Sequence, residues 1–199
     1  MRQCFFAYGS FEENQIHFPK IAQFITQQKR AFLKADIYRL SCGFPVVELQ
    51  NASQLIEGNL LELSTPESYW VILDQLLGVD GLKPEKSLFQ RKEVEVMTDN
   101  YSKISCQVYC LNPKKLTKKL TKITDGDWKK NMVKQPPIVN LLQDRHKDYI
   151  VRLSKTKGRD ILPIKLDLYR ELLSMELIVD KGRRLALTPL GKEASLFIQ

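Results

Sequence analysis

The chain has 199 residues, of which 43% are hydrophobic and 27% charged, and its formal net charge is +8. This composition excludes a disordered chain, and the length suits one main domain with a smaller addition. The apolar runs are much shorter than the roughly 20 residues of a membrane-spanning helix, and Glu12 and Glu13 interrupt the first of them. We therefore expect a cytoplasmic protein with no membrane partner.

The four cysteines, Cys4, Cys42, Cys106 and Cys110, are accompanied by only two histidines. Cys106 and Cys110 lie close in the sequence, but their spacing is that of two residues on the same face of a strand. The set lacks the spacing of a tetrahedral zinc site. We expect buried free thiols, with no metal and no other cofactor.

The first predicted element is a strand from Cys4 to Ala7, which runs directly into a turn at Tyr8-Gly9-Ser10. Glycine tolerates unusual backbone dihedrals and lets a ligand approach the main chain. Successive backbone N–H groups in such a turn can bind an anion, although these residues alone also fit an ordinary strand-ending turn. The apolar spacing of residues 15 to 30 then predicts an amphipathic helix.

Further strands are predicted where β-rich segments are bounded by turn residues, at 31–38, 44–49, 56–63, 89–97 and 102–111. A helix is predicted after Thr65, a suitable N-cap, with Pro66 at its first position and Gly78 at its end. Together these elements predict an α+β domain in which a small mixed-sheet β-barrel with flanking helices receives ligands at one rim.

The character of the chain changes after Asn112, where a lysine-rich segment is followed by a break at Gln135-Pro136-Pro137. Two helices are predicted within 138–153 and 166–177, followed by a hairpin and a last helix that begins at Pro189. This order resembles the second half of a winged-helix domain. We therefore predict a barrel domain at residues 1–130 and a small α/β, winged-helix-like C-terminal domain at 135–199.

The predicted hairpin carries Lys181, Arg183 and Arg184, which could contact phosphates as a wing does. The segment between Lys155 and Leu166 has little room for the additional helix that a winged-helix domain requires. A packing or pairing module is thus favoured over nucleic-acid binding, which stays open as an alternative.

Three motifs of the first 130 residues together resemble the gamma-glutamylcyclotransferase family and its plant and bacterial relatives. They are F-x-Y-G-S at 6–10, L-D-x-x-x-G at 73–78 and aromatic-x-R-x-x-V-x-V at 89–96. The resemblance covers about two-thirds of the chain and implies the family fold. It also implies a reaction in which a γ-glutamyl amine cyclises to 5-oxoproline and releases the amine. The substrate-binding residues that it implies are Tyr8, Gly9, Ser10, Phe11, Phe89 and Tyr109.

Two positions depart from the family pattern. Leu77 stands where the family has the glutamate that transfers the proton, and Phe89 stands where a tyrosine is usual. Leucine has no ionisable group. Loss of general acid/base assistance typically slows a reaction by about 10²- to 10⁴-fold.

Three carboxylates are candidates to replace the missing glutamate. Asp74 lies one helical turn before Leu77, although it is itself a family position and a role in local hydrogen bonding is favoured. Asp80 and Glu85 lie in the loop after Gly78, where partial desolvation could raise the pKa of a carboxyl.

Three functions follow from these residues. The first is binding of a small carboxylate or γ-glutamyl compound at the Tyr8-Gly9-Ser10 turn, with weak, altered or lost turnover. The second is an active cyclotransferase that uses a substitute carboxylate. The third is a non-enzymatic adaptor that acts through the basic C-terminal domain. The sequence identifies neither the ligand nor the oligomeric state.

Overall fold

The computed structural model describes residues 4–50, 52–64, 66–116, 120–157 and 160–198, with only the backbone of residues 66 and 67. Thr65, the predicted N-cap, and part of the lysine-rich segment lie outside the described residues. The strands are β1 (Cys4–Ala7), β2 (Ile25–Lys34), β3 (Asp36–Arg39), β4 (Pro45–Glu48), β5 (Leu55–Leu63), β6 (Phe89–Thr98), β7 (Lys103–Leu111), β8 (Thr121–Lys122), β9 (Ile178–Asp180) and β10 (Leu185–Leu187). The helices are α1 (Phe18–Ile21), α2 (Pro66–Leu76), α3 (Trp128–Lys134), α4 (Asp144–Lys155), α5 (Leu166–Ser174) and α6 (Pro189–Leu196).

Five strands form a closed barrel in the order β1-β5-β2-β6-β7. The barrel closes where β1 pairs in parallel with β7, at Phe5 and Gln107, while its other pairings are antiparallel. Gly58 permits a close approach inside β5, because a Cβ at this position would lie 2.5 Å from the Ala7 carbonyl oxygen. The predicted α+β fold with a small mixed-sheet barrel is confirmed.

A second sheet has the order β4-β3-β8. The sequence predicted one strand over 31–38, but the chain leaves the barrel at Ala35, whose N–H donates to the Gln54 carbonyl. Asp36 then begins β3 and pairs with Glu48 of β4. The two strands therefore belong to different sheets.

The helix predicted over residues 15 to 30 is wrong beyond Phe24. Only Phe18–Ile21 is α-helical, a short 3-10 helix covers Ala22–Phe24, and β2 begins at Ile25. This strand pairs with both β5 and β6. Long-range pairing thus overrides the helical spacing of the apolar residues.

Helix α2 ends as its sequence predicts. Gly78 has φ +59°, its N–H donates to the Gln75 carbonyl at 3.2 Å, and the Val79 N–H donates to the Asp74 carbonyl at 2.8 Å. These paired bonds define a Schellman motif. They fix Leu77 at the last turn of the helix.

The chain divides into two compact units, one of residues 1–40 and 44–135 and the other of residues 41–43 and 136–199. In the second unit, β9 and β10 form a hairpin between α5 and α6. Thr188 caps α6 by accepting the Gly191 N–H at 3.0 Å. The likeness of this unit to a winged-helix domain stays a prediction.

The described part of the chain contains no helix that is long and apolar enough to cross a membrane. Within the same residues, no three His, Cys, Asp or Glu side chains form a group suited to a metal ion. All four cysteines are buried thiols, as predicted, and none of them forms a disulfide with a described residue. Burial raises the pKa of Cys106 to about 12 and that of Cys110 to about 11, so both are thiols at neutral pH.

Candidate functional site

The turn after β1 is a 3-10 turn over Gly9–Phe11, and it is buried. Gly9 has φ +57°, and a Cβ there would lie 2.8 Å from Pro45 Cγ. Both the left-handed backbone conformation and the lack of room for a Cβ atom therefore require glycine at this position.

Two consecutive amides in this turn differ from their neighbours in their hydrogen bonding. The N–H groups of Phe11 and Glu12 donate within the turn, to the carbonyls of Tyr8 and Gly9. Among the described residues, the Gly9 and Ser10 amides have no hydrogen-bond acceptor. Because buried amides are nearly always paired, this turn is suited to an anion.

Tyr8 anchors the turn to the barrel. Its hydroxyl donates to the Tyr109 carbonyl at 2.8 Å and accepts the Val47 N–H at 3.1 Å. Burial raises the pKa of Tyr8, so the hydroxyl stays protonated. Since the hydroxyl makes these two internal bonds, we expect the turn to offer a ligand its backbone.

Tyr109 joins β7 to the end of α2. Its hydroxyl donates to Asp74 Oδ1 at 2.6 Å, and Asp74 Oδ2 forms an ion pair with Arg91 at 3.3 Å. Burial, followed by the neighbouring Asp74 carboxylate, raises the pKa of Tyr109. The Arg91 guanidinium also lies over the Trp70 ring, 4.8 Å from its centroid.

These contacts favour a structural role for Asp74. Both of its oxygens have partners, and these partners hold the last turn of α2 against β6 and β7. A general base must be able to accept a proton from the substrate. The geometry thus favours local bonding over catalysis for Asp74.

Leu77, which the resemblance aligns with the family glutamate, is only 2% exposed. Phe11 and Phe89 are also buried. Rings from β1, the turn, α2 and β7 pack with centroids 5.1–6.5 Å apart, and the members of this aromatic cluster are Phe5, Phe11, Tyr69, Trp70 and Tyr109. The Tyr69 hydroxyl is buried and has no hydrogen-bond partner among the described residues.

The other two candidate carboxylates are exposed on the loop after α2. Asp80 Oδ1 accepts the N–H groups of Leu82 and Lys83, at 2.8 and 3.2 Å. Glu85 lies in a short 3-10 helix, Pro84–Lys86. Asp80 thus stabilises its own loop, and a catalytic role for either residue stays a prediction.

The structure shows a buried carboxylate that the sequence analysis did not select. Glu12, directly after the turn, is 9% exposed. Its Oε2 accepts the Asn59 Nδ2–H at 2.9 Å and lies 3.8 Å from Lys129 Nζ. Burial is the main cause that raises the pKa of Glu12, and Lys129 opposes it. The adjacent Glu13 is exposed, and nothing in the local sequence distinguishes the two.

The barrel, its glycine turn and the helix end beside Tyr109 define a protein of the gamma-glutamylcyclotransferase-like class. Residues 5–130 match the family model described as gamma-glutamyl cyclotransferase, AIG2-like, and the chain belongs to this family. No curated protein matches the chain.

Solved structures provide further comparisons. YkqA from Bacillus subtilis is 23% identical with a TM-score of 0.51, and the match covers 68% of this chain but 43% of YkqA. The chain thus spans less than half the length of that relative, and the likeness shows the fold alone. A protein from Arabidopsis thaliana is 16% identical with a TM-score of 0.49, covering 83% and 94% of the two chains. An AIG2-like protein from Mus musculus is 14% identical with a TM-score of 0.46, covering 58% and 80%.

Proposed function

We propose that the protein binds a small carboxylate or γ-glutamyl compound at the Tyr8–Phe11 turn, with weak, altered or absent cyclotransferase turnover. The observation that carries the binding proposal is the pair of buried Gly9 and Ser10 amides, which have no acceptor among the described residues. A ligand carboxylate would accept hydrogen bonds from both. Family membership supports a γ-glutamyl compound as the ligand.

The proposed loss of turnover follows from Leu77 and Asp74. Cyclisation requires a group that takes a proton from the α-ammonium and returns it to the leaving amine. Leu77 cannot do this, and Asp74 is held by Tyr109 and Arg91. Without such a group we expect a rate about 10²- to 10⁴-fold below that of an intact family site.

Turnover can be tested by incubating the protein with several γ-glutamyl amines and measuring 5-oxoproline. We expect little release by the wild type and more by Leu77→Glu. Leu76→Glu is the matched control, because it introduces the same group one residue earlier at another buried position. Rapid release by the wild type would instead establish the active-enzyme alternative.

Binding is tested separately by titrating the wild type with the same compounds and following tryptophan fluorescence. Trp70 belongs to the aromatic cluster around Tyr109, so its emission should respond to a ligand near the turn. Failure of every carboxylate compound to bind would refute the proposal. Binding that Gly9→Ala does not weaken would place the ligand elsewhere.

A further inference from the structure

Glu12 is a buried carboxylate whose charge is incompletely compensated. Its Oε1 is buried and has no hydrogen-bond partner among the described residues. An unpaired buried polar atom typically costs about 1–3 kcal/mol, and more when the group is charged. A buried carboxylate oxygen without a partner is suited to accept a hydrogen bond from a donor group of a ligand.

In the described part of the chain, the cation that pairs with Glu12 is shared with another carboxylate. Lys129 Nζ lies 3.8 Å from Glu12 Oε2 but 3.2 Å from Glu57 Oε1. Glu57 also binds Arg30, at 2.6 Å. The charged groups that bear on Glu12 are thus Lys129, which stabilises its anion, and Glu57 and Glu13, which destabilise it; the Asn59 hydrogen bond also stabilises the anion.

Glu12 follows Gly9 and Ser10 closely in the chain. Its own N–H donates to the Gly9 carbonyl at 3.2 Å, so residues 9 to 12 form one hydrogen-bonded turn. An α-amino acid group carries its carboxylate and its ammonium on a single carbon. It therefore needs N–H donors and a carboxylate acceptor, and the short segment of residues 9 to 12 carries both kinds of group.

We propose that Glu12 recognises the α-ammonium group of the ligand while the Gly9 and Ser10 amides bind its α-carboxylate. Glu12 would thus make the site selective for α-amino acid derivatives, a role that no motif in the sequence assigns to it. This inference rests on the proposed function and specifies the ligand class of the same site.

Two probes that differ only in the amino group test the inference. One is γ-glutamyl methylamide, and the other is the monomethylamide of glutaric acid, which keeps the carboxylate and the amide but lacks the ammonium. Dissociation constants are measured by calorimetry for the wild type, Glu12→Gln and Glu13→Gln. Glu13→Gln is the matched control because it changes the adjacent, exposed carboxylate in the same way.

We expect the wild type to prefer the amino probe about 10- to 100-fold, the range given by a hydrogen bond between charged groups. Glu12→Gln should lose this preference without weaker binding of the des-amino probe, and Glu13→Gln should keep it. Equal binding of the two probes by the wild type, or an unchanged preference in Glu12→Gln, would overturn this inference alone. Failure of both probes to bind the wild type would overturn it together with the proposed function.

The wild type provides a test that needs no variant. Above the ordinary carboxyl pKa of about 4.3, both probes keep their carboxylates and the amino probe keeps its ammonium group. Glu12 becomes neutral as the pH falls through its raised pKa within this range. The preference for the amino probe should therefore decrease as the pH is lowered. A preference that does not change with pH contradicts the role of Glu12.

Discussion

Replacement of Gly9 by alanine tests whether the turn is as tightly constrained as its geometry indicates. A non-glycine residue in the left-handed region costs roughly 1–2 kcal/mol. The new Cβ would also lie 2.8 Å from Pro45 Cγ, closer than van der Waals contact allows. Overpacking of this kind typically costs about 1–3 kcal/mol. The expected loss of stability is therefore about 2–5 kcal/mol.

Urea unfolding followed by tryptophan fluorescence measures this loss in the first unit, because both tryptophans, Trp70 and Trp128, belong to it. With a denaturant slope of about 2 kcal/mol/M, the midpoint should fall by about 1–2.5 M. Gly126→Ala is the control in the same unit. Gly126 has φ +70°, but its nearest neighbour would be Ile56 Cδ1 at 3.5 Å, an ordinary contact. Gly126→Ala should therefore lose only about 1–2 kcal/mol of stability, which is the cost of the left-handed backbone conformation.

A second substitution separates the steric contribution from the backbone contribution. Pro45→Ala removes the ring atom that the new Cβ would meet, so the double variant should recover about 1–3 kcal/mol relative to additivity. If Gly9→Ala costs no more than Gly126→Ala, or if Pro45→Ala recovers nothing, the close approach does not constrain the turn and this reasoning is refuted.

Three further predictions concern single side chains. Tyr109→Phe removes the hydroxyl that donates to Asp74 and should lower stability by about 1–3 kcal/mol in urea unfolding, whereas an unchanged midpoint would show that this bond is energetically neutral. Burial raises the pKa of the Glu12 carboxyl above its ordinary 4.5, so the folded protein keeps the carboxyl proton to a higher pH than the unfolded chain does. The stability of the wild type should therefore fall, relative to that of Glu12→Gln, as the pH rises through the pKa of Glu12 in the folded protein. Parallel stability curves for the two proteins would contradict this linkage. Thr188→Ala removes the N-cap of α6 and should cost about 1 kcal/mol, measured by circular dichroism, with Ser195→Ala near the other end of the helix as the comparison.

The sequence predicts elements well where their determinants are local. The strand before Tyr8 and the end of α2 at Gly78 were both predicted, because an apolar run into glycine and a glycine at a helix terminus each have a short-range physical cause. The barrel follows from the predicted strands together with the motifs at 6–10, 73–78 and 89–96. The ligand-binding roles of Tyr8, Gly9, Ser10, Phe11, Phe89 and Tyr109 stay predictions.

Elements that depend on distant partners were not predictable in this way. The segment from Ile25 has helical spacing but pairs with β5 and β6, which follow much later in the chain. Glu12 is distinguished from Glu13 only by its burial beside Asn59, 47 residues away, and Lys129. No local sequence pattern indicates that Glu12 is buried and Glu13 is exposed.

The membership of residues 41–43 in the second unit has a consequence for synthesis on the ribosome. The Cys42 N–H donates to Glu193 Oε2 across a separation of 151 residues, and its carbonyl accepts the Ile138 N–H. At about 5–20 residues per second, Cys42 leaves the peptidyl-transferase centre roughly 8–30 s before its acceptor is made. This unit therefore cannot finish folding until residue 193 has been made, and a nascent chain that stalls near residue 135 would leave the backbone of Cys42 without these two partners.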